Sequence, residues 1–343
     1  MRVLSLFDGM ACGYEALLRA WIQIEKYYAS EIDKYAMQIA TKNHPDIIEI
    51  WDVTQVKWED YKDVDLLIGG SPCQWFSVAG KMLNFNDPRS KLFFEFVRLK
   101  NEIKPKYFLL ENVKMKKEWQ DIISEYLWVQ PIEINSALVS AQNRRRLYWT
   151  NIPEIQQPQD RWILLKDILQ REVDDKYVYT EERWKSLIDN PHNHDILKRT
   201  ENIEWKCNTL TTVTWGNQEK KIEIAVGGGS LRIKQATKKW YIEANDWDWV
   251  NLSFPNSTTR RGRVIKWKSS TLDCWWQSRV YNKIIRKLTP VECERLQTLP
   301  DNYTAWVSDS QRYKMLWNWW TVEVIAHIFR NMNTWWLKEQ PLF

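Results

Sequence analysis

A proline and a cysteine follow a short apolar run near residue 70, and this stretch contains the chain's best candidate nucleophile. Residues 65–70 have the composition of a buried strand broken by two glycines, and Pro72 and Cys73 come where the strand should pass into a loop. In an open α/β sheet such loops lie at the carboxyl ends of the strands, where ligands bind. Cys73 is therefore a candidate nucleophile, and a cysteine that merely packs is the alternative.

Other predicted strands also end in glycine or in acidic residues. Phe7 and Gly9, with Gly13, form a tight turn after the first strand, where missing side chains let the backbone approach a ligand closely. Glu31, about twenty residues further on, is placed to accept hydrogen bonds from a ribose. Asp52 follows the third strand and can accept a hydrogen bond from an exocyclic amine. An ordinary solvated acid is the alternative at each position.

Glu111 and a pair of arginines complete the candidate chemistry. Glu111 follows an apolar strand that we expect beside the strand of Cys73, and its carboxyl can stay protonated or share a proton with a bound heterocycle. Gln142, Arg144 and Arg146 alternate, so in a strand their side chains share one face. Two guanidiniums on one face suit phosphates or carbonyl oxygens, and a solvated basic edge is the alternative. No histidine lies near these segments, which disfavours a Cys–His hydrolase.

Alternating strands and helices must position these residues. We predict strands at residues 2–7, 27–30, 47–50, 65–70 and 107–110, helices at 14–20 and 91–103, and an antiparallel pair at 132–139 and 146–150. This order predicts a doubly wound α/β sheet. From about residue 173 polar loops lengthen, which indicates a smaller, irregular β-rich domain. Helical patterning returns at Thr289, with Pro290 in a first turn.

Composition narrows the class of protein. The 343 residues carry a net charge of +5, which permits a nucleic-acid partner without requiring one. The five cysteines are odd in number and lack a C-x-x-C spacing, which argues against a disulfide framework and a zinc site and for a reducing cytoplasm. We expect no membrane span, no signal peptide and no metal, and a monomer.

Taken in order, the motifs resemble those of DNA cytosine-5 methyltransferases of the bacterial and phage type. The segments that match are Phe7-Asp8-Gly9, Glu31, Asp52-Val53, Ser71-Pro72-Cys73-Gln74 with Phe76-Ser77, Glu111-Asn112-Val113 and Gln142-x-Arg144-x-Arg146. The stretch from Arg286 to Gln297 resembles the late motif that organises the target-recognition domain, and Asn318 with Val322 resembles the final cofactor motif. The resemblance spans nearly the whole chain except about residues 175–285.

The resemblance implies a Rossmann-like sheet that binds S-adenosylmethionine, a smaller β-rich target-recognition domain, and double-stranded DNA as the partner. The domain boundaries that we expect are 1–172 for catalysis and cofactor binding, 173–300 for target recognition, and 301–343 for a return to the catalytic domain. The cofactor-binding residues would be Phe7, Asp8, Gly9, Gly13, Glu31, Ile32, Asp52, Val53, Pro72, Asn318 and Val322. The DNA-binding residues would be Gln74, Ser77, Gln142, Arg260, Arg261, Arg263, Thr271 and Arg295.

The resemblance also implies a mechanism. The target cytosine is flipped out of the duplex, and the thiolate of Cys73 attacks C6 while Glu111 holds N3 and the exocyclic amine. Arg146, with Arg144, would steady the cytosine O2 and the local backbone. C5 of cytosine is a poor nucleophile until C6 carries a covalent thiolate, so the reaction requires a cysteine and a proton donor on adjacent strands.

Tryptophan is unusually frequent, and several tryptophans stand where the family has glycine. The chain has 23 Trp and 10 Gly, whereas a typical composition would give roughly 24 Gly. The suspect positions are Trp21, Trp51, Trp75, Trp128, Trp162, Trp240, Trp247, Trp249, Trp267, Trp306, Trp317 and Trp319; Trp58, Trp119, Trp149 and Trp320 look native. We hypothesise that suspect codons are UGA, read as glycine in the source organism, and native ones UGG.

Two other functions stay open at this point. A tRNA cytosine-5 methyltransferase would use the same scaffold, although the long 175–285 segment favours a domain that reads a DNA groove. A catalytically impaired DNA-binding relic is conceivable if the tryptophans are real, although Cys73, Glu111 and Arg146 are intact.

Overall fold

A computed structural model describes most of the first and last parts of the chain and only short strands between them. The described residues are 1–70, 88–178, 200–201, 206–208, 221–226, 230–234, 241–245, 249–251, 264–265, 277–279 and 282–332. The chain divides into two compact units. The first comprises Met1–Arg171, Glu204–Gly216 and Thr289–Phe343, and the second Glu172–Ile203 and Asn217–Leu288.

A seven-stranded sheet forms the centre of the first unit. Its part of the chain contains β1 (Arg2–Leu6), β2 (Lys26–Ser30), β3 (Ile47–Glu49), β4 (Leu66–Gly70), β5 (Tyr107–Val113), β6 (Ile132–Asn135), β7 (Gln142–Asn143) and β8 (Arg145–Thr150). The order across the sheet is β3-β2-β1-β4-β5-β8-β6. The first five of these run parallel, and β8 is antiparallel to both neighbours. This arrangement confirms the predicted α/β fold and the antiparallel pair.

Helices cover the sheet because its strands are apolar on both faces. They are α1 (Cys12–Arg19), α2 (Lys34–Asn43), α3 (Pro88–Ile103) and α4 (Lys117–Leu127). Helix α3 contributes Phe93, Phe96 and Leu99 to a buried cluster that also contains Leu67 of β4 and Leu110 of β5. Continuous apolar strands of this kind are typical of parallel sheets covered by helices.

Three helices follow in the last part of the unit. They are α5 (Pro290–Leu296), α6 (Asp309–Asn318) and α7 (Val322–Arg330). Thr289 caps α5 in a capping box with Glu292, and Pro290 lies in the first turn, as the sequence predicts. Helix α7 is buried along most of its length and packs against α1. No helix in the described segments is long and apolar enough to cross a bilayer.

Several predicted element boundaries were wrong, and two of them concern candidate site residues. Strand β5 extends to Val113, so Glu111 lies within the strand instead of after it. The strand expected to carry residues 142–146 is interrupted at Arg144. There the Asn135 side chain accepts the N–H of Arg144 and the Arg144 carbonyl accepts the N–H of Ser136, which removes Arg144 from a regular ladder.

The described part of the second unit consists of a 3₁₀ turn at Asp175–Tyr177 followed by short strands. These are β9 (Thr200–Glu201), β11 (Lys221–Val226), β12 (Ser230–Lys234), β13 (Tyr241–Asn245), β14 (Trp249–Asn251), β15 (Val264–Ile265), β16 (Gln277–Arg279) and β17 (Asn282–Lys287). They pair as β17-β11-β9, as β12-β13 and as β15-β14-β16. Strand β10 (Cys207–Asn208) belongs to the first unit and pairs with β7.

Backbone angles separate many of the suspect tryptophans from the native-looking ones. Trp21, Trp51, Trp128 and Trp162 all have φ between 55° and 66°, and their side chains are 61–90% exposed. None of the four native-looking tryptophans has a positive φ. The left-handed region favours glycine because it has no Cβ. The angles support the interpretation of these four positions as glycine sites.

Replacing Trp128 by glycine should stabilise the protein. Trp128 follows the last residue of α4 with φ 66°, a conformation that is strained for a residue with a β-carbon. Its side chain is 85% exposed, so the indole adds little packing. We expect Trp128→Gly to raise the free energy of unfolding by about 1 kcal/mol in urea titrations. Trp119→Gly is the matched control, because Trp119 lies inside the same helix, where glycine lowers stability by about 1 kcal/mol. Changes of the same sign in both variants would contradict the interpretation.

The buried His44 contacts one tyrosine near the start of the chain and another in its last part. The His44 ring stacks on Tyr14 with centroids 4.2 Å apart, and its Nε2 lies 3.1 Å from the Tyr303 hydroxyl. Burial lowers the pKa of His44 from 6.5 to about 4, even though the carboxylate of Glu15 is 3.9 Å from Nε2. Between these two values the unfolded chain binds more protons than the folded one, so stability falls as the pH falls.

The His44 contribution can be measured by its pH dependence. A shift from 6.5 to about 4 predicts that folded His44 costs about 2 kcal/mol near pH 5 and almost nothing near pH 7.5. His44→Gln should therefore lose less stability than the parent chain on acidification between those two values, as measured by urea unfolding. Comparing the two proteins cancels the opposite contributions of Asp8 and Glu49, whose pKa values burial raises. Parallel pH profiles would refute the prediction.

Candidate functional site

The loop after β1 is held in a conformation that brings its backbone to the end of β2. Phe7, Gly9 and Ala11 all have φ near 60°. The N–H of Gly9 donates to Oε2 of Glu31 over 2.9 Å, and Oε1 of Glu31 accepts the N–H groups of Ile32 and Asp33 at 2.8 Å. The predicted turn and the predicted acid therefore form one rigid group at the carboxyl edge of the sheet.

Asp8 is buried behind this loop. The Tyr27 hydroxyl donates to Oδ1 of Asp8 over 2.6 Å, and burial raises the pKa of Asp8 to about 6. Gly13 lies close to the same tyrosine, since a β-carbon at Gly13 would be 2.8 Å from the Tyr27 hydroxyl and 2.5 Å from Cδ1 of Ile68. Asp8 and Gly13 thus support the loop from within the fold, with no room for a side chain at Gly13.

The remaining cofactor-binding residues predicted for this region, Ile32, Asp52 and Val53, follow the carboxyl ends of β2 and β3. Ile32 is 74% exposed, Asp52 is exposed and Val53 is buried. Asp52 caps a short 3₁₀ turn through the N–H of Thr54, 2.9 Å away. The exposed side chain of Ile32, next to Glu31 in the chain, gives the planar base of a nucleoside an apolar surface on which to pack.

Glu111 is the most tightly held acid of the predicted site. It is 8% exposed, its Oε1 lies 3.0 Å from Nε of Arg146, and its Oε2 accepts the indole N–H of Trp320 at 3.2 Å. In the sheet it pairs with Gly70, the last residue of β4. Both carboxylate oxygens therefore have a fixed donor, at the end of the strand that leads toward Cys73.

Arg144 lies apart from this carboxylate group and is buried. Its Nη1 and Nη2 donate to the backbone carbonyls of Trp317 and Trp319 at 3.2 and 3.1 Å, and the residue is 2% exposed. Burial lowers the pKa of Arg144 to about 10, so the guanidinium keeps its charge at neutral pH. The two arginines that were expected to share one face hold two different parts of the site.

The segment between α6 and α7 lies across the glycines of the sheet edge. The Trp320 ring contacts the α-carbon sides of Gly70 and Gly13, and a β-carbon on Gly9 would overlap the indole of Trp319. Asn318 is exposed, and Val322 is buried at the start of α7. The structure thus brings Asn318 and its neighbours to the Gly9 loop and to Glu111.

Of the residues that were expected to bind DNA, Gln142 is buried and Arg295 is already paired within the chain. Gln142 is fully buried, and both polar atoms of its side chain lack a hydrogen-bond partner among the described residues. Arg295 forms a bidentate pair with Asp301, at 2.8 and 2.6 Å, and donates to the carbonyl of Ile168. The other expected site residues, Pro72, Cys73, Gln74, Ser77, Arg260, Arg261, Arg263 and Thr271, lie outside the described residues.

Most of this edge suits the methyl donor that the resemblance implies, and one residue does not. Glu31 and exposed Ile32 fit a ribose and its base, and the Gly9 loop gives close backbone approach. The indole of Trp319, however, occupies the space beside Gly9. The described residues contain no group of His, Cys, Asp or Glu side chains that could hold a metal.

Three contributors to the site were not predicted from the sequence. Trp320 binds Glu111 from 209 residues away, and Tyr303 donates to the Met10 carbonyl from 293 residues away, so no local pattern pointed to either. Glu49 is an acid at the end of β3, and burial raises its pKa to about 7. Its signal was available, because it interrupts the apolar run Ile47-Ile48-Glu49-Ile50.

Comparison with solved structures supports the fold. The chain is similar to the Dnmt2 methyltransferase of S. pombe, with a TM-score of 0.63, 16% identity, and coverage of 97% of this chain and 98% of that one. It is also similar to a putative DNA modification methyltransferase encoded within an E. coli prophage, with a TM-score of 0.60, 17% identity, and coverage of 97% and 99%. At these identities the likeness establishes the fold.

Sequence comparison reaches the family. The orphan methyltransferase M.SPRI of Bacillus phage SPR is 28% identical across 97% of both chains. The type II methyltransferase M1.ScrFI of Lactococcus lactis subsp. cremoris is 30% identical across 96% of this chain and 77% of that protein. The family model for C-5 cytosine-specific DNA methylase matches residues 1–334. This chain therefore belongs to the C-5 cytosine-specific DNA methylases, enzymes that methylate cytosine with S-adenosylmethionine as the donor.

Proposed function

We propose that this chain methylates C5 of a cytosine flipped out of a specific duplex DNA sequence, through a covalent bond between Cys73 and C6. The observation that carries the proposal is the Glu111 carboxylate, held by Arg146 and Trp320 beside the last residue of the strand that precedes Cys73. Two residues lie between Gly70 and Cys73 in the sequence, so their α-carbons are at most about 11 Å apart. Chain connectivity therefore limits how far Cys73 can lie from Gly70, the cross-strand partner of Glu111, which supports the proposal.

The chemistry follows from these residue types. The Cys73 thiolate adds to C6, and the proton that neutralises the ring at N3 comes from Glu111, so electron density collects at C5. S-adenosylmethionine, when bound, supplies the methyl group to C5. A water molecule acting as a base then takes the C5 proton, the C5–C6 double bond re-forms as the C6–S bond breaks, and the N3 proton returns to Glu111. Desolvation of the flipped base strengthens the interaction with Glu111 and Arg146.

Arg146 and Arg144 have separate tasks in this proposal. Arg146 orients the Glu111 carboxylate and, being half-buried, can also reach the carbonyl oxygen of a base placed there. Arg144 is a positioning residue that holds the segment of Asn318 against the sheet edge. We further propose that the chain acts as a monomer in the cytoplasm, where duplex DNA is its substrate.

A covalent trap tests the nucleophile. We expect a chain with glycine restored at the suspect positions to form a denaturation-resistant adduct with duplex DNA that contains 5-fluorocytosine, in the presence of S-adenosylmethionine. Cys73→Ala should abolish the adduct, and Glu111→Gln should slow its formation by about 10²–10⁴-fold, the usual contribution of general acid catalysis. The matched control is Cys207→Ala, which removes a buried cysteine that the mechanism does not use.

Other outcomes of the trap would overturn parts of the proposal. An adduct that survives Cys73→Ala would overturn the assignment of the nucleophile. Labelling of tRNA instead of duplex DNA by radioactive donor would favour the RNA alternative. Absence of both labels from a folded, glycine-restored chain would favour the impaired relic.

Substitutions of the two arginines should differ in their effects on the free energy of unfolding and on adduct formation. Arg144→Met leaves two buried carbonyls without donors, and we expect a loss of about 2 kcal/mol in the free energy of unfolding. Arg146→Met leaves the Glu111 carboxylate, which is 8% exposed, without its charged partner, and we expect a larger loss, about 3 kcal/mol. It should also slow adduct formation in the glycine-restored chain. A smaller loss of unfolding free energy in Arg146→Met than in Arg144→Met would contradict the separate tasks.

A further inference from the structure

The side chain of Trp319 lies in the part of the site where the backbone should be open to a ligand. Gly9 has φ 64°, and a β-carbon on it would overlap Cε2, Cζ2 and Cδ2 of Trp319. The indole is therefore in direct van der Waals contact with the α-carbon of Gly9. A glycine at such a turn serves close approach of a ligand, and here an aromatic ring of the same chain takes that space.

The same loop is bonded to the acid that should hold the ribose. Glu31 accepts the N–H of Gly9 at 2.9 Å, so a ribose bound to Glu31 must lie within a few ångströms of Gly9. Ile32, the next residue in the chain, is 74% exposed, and the half-buried Trp319 lies against Gly9. A nucleoside at Glu31 and the indole at Gly9 therefore compete for adjoining space.

The backbone on either side of Trp319 is anchored, which restricts how the indole can leave. Arg144 holds the carbonyls of Trp317 and Trp319, and the neighbouring Trp320 donates to Glu111. Moving the whole segment would break both hydrogen bonds of the buried Arg144 guanidinium and leave one oxygen of the Glu111 carboxylate without its donor. The indole can move only by changing its own rotamer, against its packing on Gly9.

We propose that Trp319 closes the methyl-donor site of this chain, as an internal side chain that competes with S-adenosylmethionine for the space beside Gly9. Glycine at position 319 opens the site without disturbing the anchors at Arg144 and Glu111, because both anchors use backbone carbonyls or the neighbouring indole. The inference rests on donor binding alone and does not require that the chain methylate DNA.

Equilibrium binding of the donor tests the proposal directly. We expect S-adenosylmethionine and S-adenosylhomocysteine, measured by isothermal titration calorimetry, to bind Trp319→Gly at least about ten-fold more tightly than the parent chain, a difference of about 1.4 kcal/mol. Trp319→Ala should show a smaller gain of the same sign. Saturating donor should raise the unfolding temperature of Trp319→Gly more than that of the parent.

Trp128→Gly is the matched control, because it also replaces a suspect tryptophan, at an exposed helix end. We expect its donor affinity to equal that of the parent within about two-fold. Equal or weaker donor binding by folded Trp319→Gly and Trp319→Ala would overturn the proposal, and so would an equal gain in the control. Should Trp319→Gly fail to fold, the sign of the Trp319→Ala change decides. Tight donor binding without methyl transfer would sustain this inference and contradict only the proposed function.

Discussion

The Glu111 carboxylate, held by one donor on each oxygen, is the interaction on which the candidate site depends. A buried carboxylate is costly unless charged or polar partners compensate its lost hydration. Arg146 comes from the adjacent antiparallel strand and Trp320 from the segment before the last helix. The requirement to pair one acid therefore joins the middle of the sheet to the carboxyl-terminal part of the chain.

That junction also explains why the glycines of the sheet edge matter. Gly9, Gly13 and Gly70 lie beneath the segment between α6 and α7, and two tryptophan rings pack where β-carbons would otherwise project. Close packing of this kind leaves little freedom for either layer. Arg144 completes the attachment with two bonds to backbone carbonyls, which do not depend on the side chains of residues 317 and 319.

Six of the suspect tryptophans fall into two physical classes. Trp21, Trp51, Trp128 and Trp162 occupy left-handed positions on the surface, where an indole adds backbone strain and exposes apolar area. Trp317 and Trp319 have ordinary φ and lie at the site, where bulk rather than backbone conformation is at issue. The two classes would affect different properties, stability in the first and ligand access in the second.

The sequence by itself determined the α/β class, the order of strands and helices, and the motifs that identify the family, because apolar periodicity, turn residues and motif spacing are properties of neighbouring residues. It also identified Glu31, Glu111 and Arg146 as candidate site residues. Only the tertiary structure decided that Arg144 and Arg146, two residues apart, hold different partners, because those partners lie 173 and 175 residues away for one and in the neighbouring strand for the other. The contacts of Trp319 and Trp320 were likewise decided by packing between elements distant in the chain, for which no local pattern exists.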